Sequence, residues 1–266
     1  MPKVINPATG ECIRELPWHQ ADEVERKLAA ARIAFEQWRN YDFEWRGECL
    51  NAVAGALRAN REHHAALMTE EMGKPVREAL GEVEKTAWCC EHYATHAARY
   101  LAPETLESDA TRSWVQYLPL GTVLGILPWN SPYWLAARVF APALMAGNSV
   151  LIKHDPHVPG CALAIEAAFR EGGAPDGLLQ ALVIDNDDTA AVLRDRRVQA
   201  VSFTGSTRGG RAVSAIAGGQ IKPAVLELGG SDPAVVLADA DDERQAGERR
   251  RSGASPFSAP TTPAGH

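Results

Sequence analysis

The stretch that determines the fold begins with Val123-Leu124-Gly125-Ile126-Leu127 and ends with Val150-Leu151-Ile152, two short apolar runs. Between them, Tyr133 to Ala146 has the length of a helix, and Gly147-Asn148-Ser149 is a breaker that ends it. Arg138 interrupts the apolar segment, so we expect a buried helix, a turn and a strand rather than a membrane span. A strand, helix and strand in this order are typical of a parallel sheet.

Further short apolar runs follow the same alternation with helical segments. They are Leu179–Ile184, Ala200–Phe203 and Ala224–Leu226. Alternation of this kind indicates βαβ units, whose crossovers are almost always right-handed. The sequence therefore predicts an α/β fold, with a Rossmann-like parallel sheet and helices on both of its faces.

The first hundred residues have the 3.6-residue periodicity of amphipathic helices. One helix is expected within residues 22–40, and another from Val76 to about Leu101. Two further helices are expected between them, and Gly73 and Pro75 form the stop signal that separates the second of these from the helix at Val76. A helical region thus precedes the predicted sheet.

Four segments are expected along the chain. Residues 1–103 form the helical part, residues 104–118 an alternating strand segment, residues 119–243 the Rossmann-like core, and residues 244–266 a tail. The tail contains four arginines and is otherwise rich in Ser, Pro, Gly, Ala and Thr. Such a composition buries too little apolar surface to offset the entropy of ordering, so we expect disorder there.

The composition favours a protein that handles small molecules. A net charge of −7 over 266 residues argues against nucleic-acid binding, and the N-terminus lacks the pattern of a secretory signal. The five cysteines are odd in number and show no C-x-x-C spacing, which favours reduced thiols over disulfides. We expect a cytoplasmic location.

Three motifs follow predicted strands, at the edge where open α/β sheets bind their ligands. They are Pro128-Trp129-Asn130, Phe203-Thr204-Gly205-Ser206 and Leu226-Glu227-Leu228-Gly229-Gly230. Taken singly, each has an ordinary alternative: a turn asparagine, a strand-to-helix turn, or a solvated carboxylate at a strand end.

In this order, and together with Ile5-Asn6-Pro7-Ala8-Thr9-Gly10, the motifs resemble the aldehyde dehydrogenase superfamily up to about Asp241. The succinate-semialdehyde dehydrogenase branch is the most similar part of it. The resemblance implies oxidation of an aldehyde to an acid: a cysteine thiolate adds to the aldehyde, and a hydride passes to NAD or NADP. That cysteine should lie a few dozen residues beyond Glu227, whereas the last cysteine here is Cys161. We therefore expect a truncated chain, inactive alone, whose sequence departs from the family by a frameshift or truncation near Glu243.

The resemblance also assigns roles to single residues. The Asn130 amide stabilises the oxyanion, and Glu227 is the general base. The cofactor would be bound by residues of four segments: Ile126, Trp129, Asn130, Lys153, His154, Asp155, Pro156, Thr204, Gly205, Ser206, Leu228 and Gly229.

Two residues refine the expected ligands. Many family members have a glutamate where this chain has Pro156, and its absence removes repulsion against a 2′-phosphate, so NADP should be tolerated; Asp155 leaves the preference open. Arg138 lies in an apolar helix, where an unpaired guanidinium would be costly. By resemblance it binds the substrate's distal carboxylate; the alternative is a structural ion pair with an internal acid.

Other interpretations remain open at this stage. Cys89, His92 and His96 share one helical face and could ligate zinc, although no fourth ligand is evident and we expect no metal site. The chain could instead be a catalytically dead dinucleotide-binding fragment, or a subunit-interaction fragment that docks through residues 104–118. By resemblance, that segment belongs to the hairpin through which full-length members form homo-dimers or tetramers. An unstable remnant is the third possibility.

Overall fold

The computed structural model describes residues 2–231 and residue 233. Residues up to Leu228 form one compact unit, and the chain from Gly229 onward lies outside that unit. The predicted tail, 244–266, and residues 234–243 of the predicted core lie outside the described residues.

The N-terminal region is helical after a small hairpin. Strands β1 (Lys3–Ile5) and β2 (Cys12–Glu15) pair in antiparallel fashion. The helices that follow are α1 (Ala21–Trp38), α2 (Phe43–Ala59), α3 (Arg61–Met72) and α4 (Val76–Tyr100). The predicted stop is confirmed, because Gly73 caps α3 with a φ of 77° and Pro75 precedes the first residue of α4.

The segment after α4 forms a second hairpin. Strand β3 (Glu104–Leu106) pairs in antiparallel fashion with β4 (Ser113–Val115), separately from the main sheet. The sequence predicted a strand within residues 104–118, and the structure adds its partner.

The remainder of the first unit alternates between strands and helices. The elements are β5 (Thr122–Leu127), α5 (Pro132–Met145), β6 (Ser149–His154), α6 (Pro159–Glu171), β7 (Leu179–Ala181), α7 (Asn186–Arg194), β8 (Val198–Gly205), α8 (Thr207–Gly219) and β9 (Ala224–Leu228). The five strands form a parallel sheet in the order β7-β6-β5-β8-β9. Strand β7 ends at Ala181, three residues earlier than expected, and Val183 bonds to His19 instead, with its carbonyl 2.8 Å from the His19 nitrogen.

Helices cover both faces of the sheet, as predicted. Alternate residues of β5 point to opposite sides: Val123 packs with α2 to α6 and the end of α1, and Leu124 packs with the middle of α1, α7 and α8. A parallel sheet is stable in water only when both faces are covered in this way.

Helix α5 is anchored at its C-terminal end by two residues of earlier helices. The indole N–H of Trp38 donates to the carbonyl of Leu144 at 2.7 Å, and Nη1 of Arg46 donates to the carbonyl of Met145 at 2.8 Å. The Leu144 carbonyl also accepts from the Gly147 N–H at 2.9 Å, so Trp38 is an additional donor there. Both side chains bind carbonyls of the last helical turn, and they join α1 and α2 to α5.

Trp38→Phe should lower the free energy of unfolding by about 1–2 kcal/mol, because the Leu144 carbonyl loses one of its donors and the smaller ring fills the core less well. Urea denaturation measures the change. Trp45→Phe is the matched control, since Trp45 is exposed and its replacement should cost less. Equal losses in the two variants would contradict the anchoring role of Trp38.

Candidate cofactor site at the carboxyl edge of the sheet

The carboxyl ends of four neighbouring strands meet at one edge of the sheet. The register sets Ile126 of β5 beside Lys153 of β6 on one side and Phe203 of β8 on the other. It sets Thr204 of β8 beside Glu227 of β9. Neighbouring strands are roughly 4.8 Å apart, so the structure brings together the predicted residues up to Leu228. Gly229 lies outside the compact unit that ends at Leu228, and its role stays a prediction.

The turn between β8 and α8 is built around one aromatic ring. Ser206 caps α8, and its hydroxyl accepts a hydrogen bond from the Gly209 N–H at 3.2 Å. A Cβ at Gly205 or at Gly209 would lie 2.7 Å from the Phe203 ring. Packing against Phe203 is therefore sufficient to explain both glycines. The N-terminus of α8 also has backbone N–H donors, which favour a bound anion.

Lys153 is a buried cation at this edge. It is only 4 % exposed, and burial lowers the pKa of its ammonium group below the ordinary value. The carboxylates of Asp155 and Asp185 act on the pKa in the opposite direction. A phosphate oxygen or a ribose hydroxyl that accepted a hydrogen bond from Lys153 would replace its lost solvation.

His154 has a structural partner inside the protein. Its Nε2 donates to the Pro132 carbonyl at 2.9 Å, and its Nδ1 is buried without a hydrogen-bond partner among the described residues. Burial lowers its pKa to about 4, so the ring is neutral at pH 7. The ring therefore ties β6 to the start of α5, which leaves only its backbone for the expected cofactor contact.

Arg138 and Glu227 form an ion pair on the open side of the edge. Nη2 of Arg138 lies 3.3 Å from Oε1 of Glu227, and their side chains are 43 % and 54 % exposed. The sequence predicted a carboxylate partner as one alternative for Arg138, and that partner is Glu227, the predicted general base. Exposed pairs contribute about 0–1 kcal/mol, so this one is easily separated. Asn130, in the loop before α5, is also exposed.

The cysteines lie elsewhere and in unreactive settings. Burial raises the pKa of Cys49 and of Cys89 to about 11, and it raises the pKa of Cys90 and of Cys161 well above the usual range. A thiolate is the reactive form, so these four thiols are poor nucleophiles. Cys12 is exposed, but it lies on β2 in the N-terminal hairpin.

The residues considered for zinc make other contacts. Nε2 of His92 lies 3.0 Å from the Tyr100 hydroxyl, and its ring lies 4.7 Å from that of His96. Cys89 is buried. Within residues 2–231, no three His, Cys, Asp or Glu side chains are grouped so that they could hold a metal ion.

Two buried glutamates near the edge were not predicted from the sequence. Glu71 of α3 and Glu82 of α4 are buried and accept hydrogen bonds from the backbone at the start of α6 and α5. The sequence did indicate that Glu82 is buried, because it lies within the apolar stripe of its helix, next to Val83. A glutamate in such a stripe is almost never buried without partners.

The sequence profile of the Aldehyde dehydrogenase family matches residues 2–253, and this chain belongs to that family. No helix of the described residues is long and apolar enough to cross a membrane.

Several relatives share a narrower activity. The chain is 45 % identical over 239 residues to the succinate semialdehyde dehydrogenase [NAD(P)+] of Escherichia coli K12, covering 90 % of this chain and 52 % of that protein. It is 46 % identical over 237 residues to a probable succinate-semialdehyde dehydrogenase [NADP(+)] of Synechocystis, covering 89 % and 52 %. The chain therefore spans about half the length of the curated relatives that it matches.

A solved structure of a related protein agrees with the family match and with the sequence identities. The crystal structure of succinic semialdehyde dehydrogenase from Streptococcus pyogenes in complex with NADP+ superposes with a TM-score of 0.86 at 35 % identity. The match covers 92 % of this chain and 54 % of that one.

Acidification should destabilise the protein through His64 and His154. The His64 Nδ1 lies 2.9 Å from the Tyr133 hydroxyl, and burial lowers the pKa of His64 to about 4 as well. In the unfolded chain both rings have a pKa near 6.5, so the unfolded state binds protons that the folded state does not. Stability is thus complete above pH 6.5 and falls towards pH 4, by up to about 3 kcal/mol for each histidine.

Urea denaturation at several pH values between 7 and 4 measures this loss. His64→Gln should flatten the dependence, whereas His63→Gln, an exposed neighbour, should retain it. The same slope in His64→Gln and in the parent chain would refute this explanation.

Proposed function

We propose that this chain binds NAD or NADP at the carboxyl edge of its sheet, as the cofactor-binding part of an aldehyde dehydrogenase. The alignment of Lys153, Thr204 and Glu227 on neighbouring strands is the observation on which the proposal rests. Two features favour an anionic ligand there: the buried ammonium of Lys153 and the N-terminus of α8. The residues present therefore suit a dinucleotide, which would accept a hydride.

The whole protein would oxidise a short aldehyde that carries a carboxylate, such as succinate semialdehyde. The names of the relatives support this substrate class. Asn130 would donate its amide to the developing oxyanion, and Glu227 would accept a proton from water. Arg138 would bind the distal carboxylate, for which it must leave Glu227. That separation costs little, because the pair is exposed.

The chain alone should bind cofactor without oxidising aldehydes. The mechanism needs an activated cysteine beside Asn130 and Glu227. Four of the five cysteines have raised pKa values, and the fifth, Cys12, belongs to the N-terminal hairpin.

Replacement of Pro156 tests the cofactor site directly. Pro156→Glu should weaken NADP binding at least about tenfold, because the new carboxylate repels the 2′-phosphate, while NAD binding should be retained or improved. Calorimetry with each cofactor measures both affinities. Pro103→Glu, in the exposed link between α4 and β3, is the control and should leave both unchanged. Equal losses for the two cofactors would contradict the proposed site.

The β3–β4 hairpin supports a second candidate function, the docking of another subunit. Several large apolar side chains of the hairpin and the segment after it are exposed: Leu106, Trp114, Val115, Tyr117, Leu118 and Leu120. Contiguous apolar surface of this kind marks interaction sites. A second copy of this chain would cover it.

Light scattering over a range of chain concentrations tests this docking. Leu118 is 69 % exposed, and Leu118→Glu should shift the chain towards the monomer. Ile33→Glu, which places the same charge on exposed α1 surface, should not. If the two variants associate alike, the hairpin is not the interface.

A further inference from the structure

The two helices that follow the central strands lack caps of their own. Neither Ser131, before α5, nor Val158, before α6, makes a side-chain capping bond. Both helices begin with a proline, which has no N–H, so the first free donors belong to the second and third residues.

Two remote carboxylates satisfy those donors. Glu82 Oε1 accepts from the N–H groups of Tyr133 and Trp134 at 2.9 and 3.1 Å. Glu71 accepts from Gly160 at 2.9 Å through Oε1 and from Cys161 at 3.1 Å through Oε2. Negative charge is favourable at a helix N-terminus, and bonds to a charged acceptor are stronger than neutral ones.

Each carboxylate is buried and has a cation beside it. The Glu71 side chain is 0 % exposed and lies 3.2 Å from Nη1 of Arg14. The Glu82 side chain is 6 % exposed and is paired with Lys74. Nζ of Lys74 also donates to the hydroxyl of Ser131 at 3.2 Å, so this cation contacts the loop that carries Asn130.

Both carboxylates come from one helical hairpin. Glu71 lies in the last turn of α3 and Glu82 in the second turn of α4. The connection is tight, since a Cβ at Gly73 would meet Pro7 at 2.9 Å, and the Thr69 hydroxyl donates to the Lys74 carbonyl at 2.7 Å. The hairpin therefore sets the starts of α5 and α6 relative to each other.

The loops before these helices are too short to absorb a shift of the helix. Residues 128–131 join β5 to α5, and residues 155–158 join β6 to α6. The first loop contains Trp129 and Asn130; the second contains Asp155 and Pro156. A displacement of such a loop by about 1 Å can weaken ligand binding or activity by more than the free energy of the lost hydrogen bond.

The geometry points to Glu71 and Glu82 as positioning residues, one for each half of the cofactor site; this inference rests on the proposed function. Glu71 holds the loop that meets the adenosine ribose. Glu82, with Lys74, holds the loop at the nicotinamide end. Neither residue touches the cofactor itself.

The test compares NAD with ADP-ribose, which keeps the adenosine and phosphates but lacks the nicotinamide. In calorimetry, Glu71→Gln should weaken both ligands by the same factor, about tenfold, which corresponds to ~1.4 kcal/mol. Glu82→Gln should weaken NAD by a similar factor and leave ADP-ribose within about twofold of the parent chain. Each glutamine removes the negative charge and replaces one oxygen by an NH2 group, which would face a backbone N–H at Glu71 and the Lys74 ammonium at Glu82. A merely structural role would affect the two ligands alike.

Milder variants keep the test usable if the glutamine variants do not fold. Arg14→Gln removes the cation beside Glu71, and Ser131→Ala removes the contact of Lys74 with the loop. Each should reproduce the pattern of its own glutamate at smaller amplitude. Glu78→Gln, an exposed glutamate in the first turn of α4, should change neither affinity.

The outcomes separate the two proposals. Loss of both ligands in both glutamate variants, or of neither ligand, would overturn the assignment of one glutamate to each half. A folded parent chain that binds neither NAD nor ADP-ribose would overturn the proposed function, and the positioning roles with it.

Discussion

Strand β5, Thr122–Leu127, is the constraint on which the rest of this structure depends. All six of its residues are buried, and it pairs with β6 on one side and with β8 on the other. A strand buried on both faces needs a layer of helices on each side. Helices α2 to α6 cover one face, α7 and α8 cover the other, and α1 contributes residues to both layers. The carboxyl end of β5 also defines the candidate site, because the Asp155 N–H donates to the Leu127 carbonyl at 2.8 Å and so joins the loops after β5 and β6.

Helix α5 gains its position from polar groups at both ends. Glu82 binds its N-terminal N–H groups, while Trp38 and Arg46 bind its last carbonyls. Asn148, just beyond the helix, accepts from the N–H groups of Leu120 and Gly121 at 2.7 and 3.0 Å. Buried polar groups are costly unless they are paired, so each of these residues favours one arrangement of helix and sheet over its alternatives.

The candidate site has a buried half and an open half. Lys153 and His154 lie inside the protein, whereas Arg138, Asn130 and Glu227 are exposed. Strand β9 is the most exposed strand of the sheet, with Val225 and Leu228 both accessible. The half that contains Lys153 is therefore preformed, and the half that contains Glu227 is open in the described part of the chain.

Much of this protein was predictable from sequence, because periodicity reports which face of an element is buried. It predicted the strands, their parallel arrangement and the helical N-terminal region, and the motifs after β5, β8 and β9 indicated the family. Periodicity does not report which element a buried face will meet. It did not give the strand order β7-β6-β5-β8-β9. Nor did it give the pairing of Arg138 with Glu227 or the capping of α5 and α6 by Glu82 and Glu71, contacts that join residues 51 to 90 positions apart. Only the tertiary structure decided them, because a hydrogen bond or ion pair depends on distances that the packing of helices on the sheet creates.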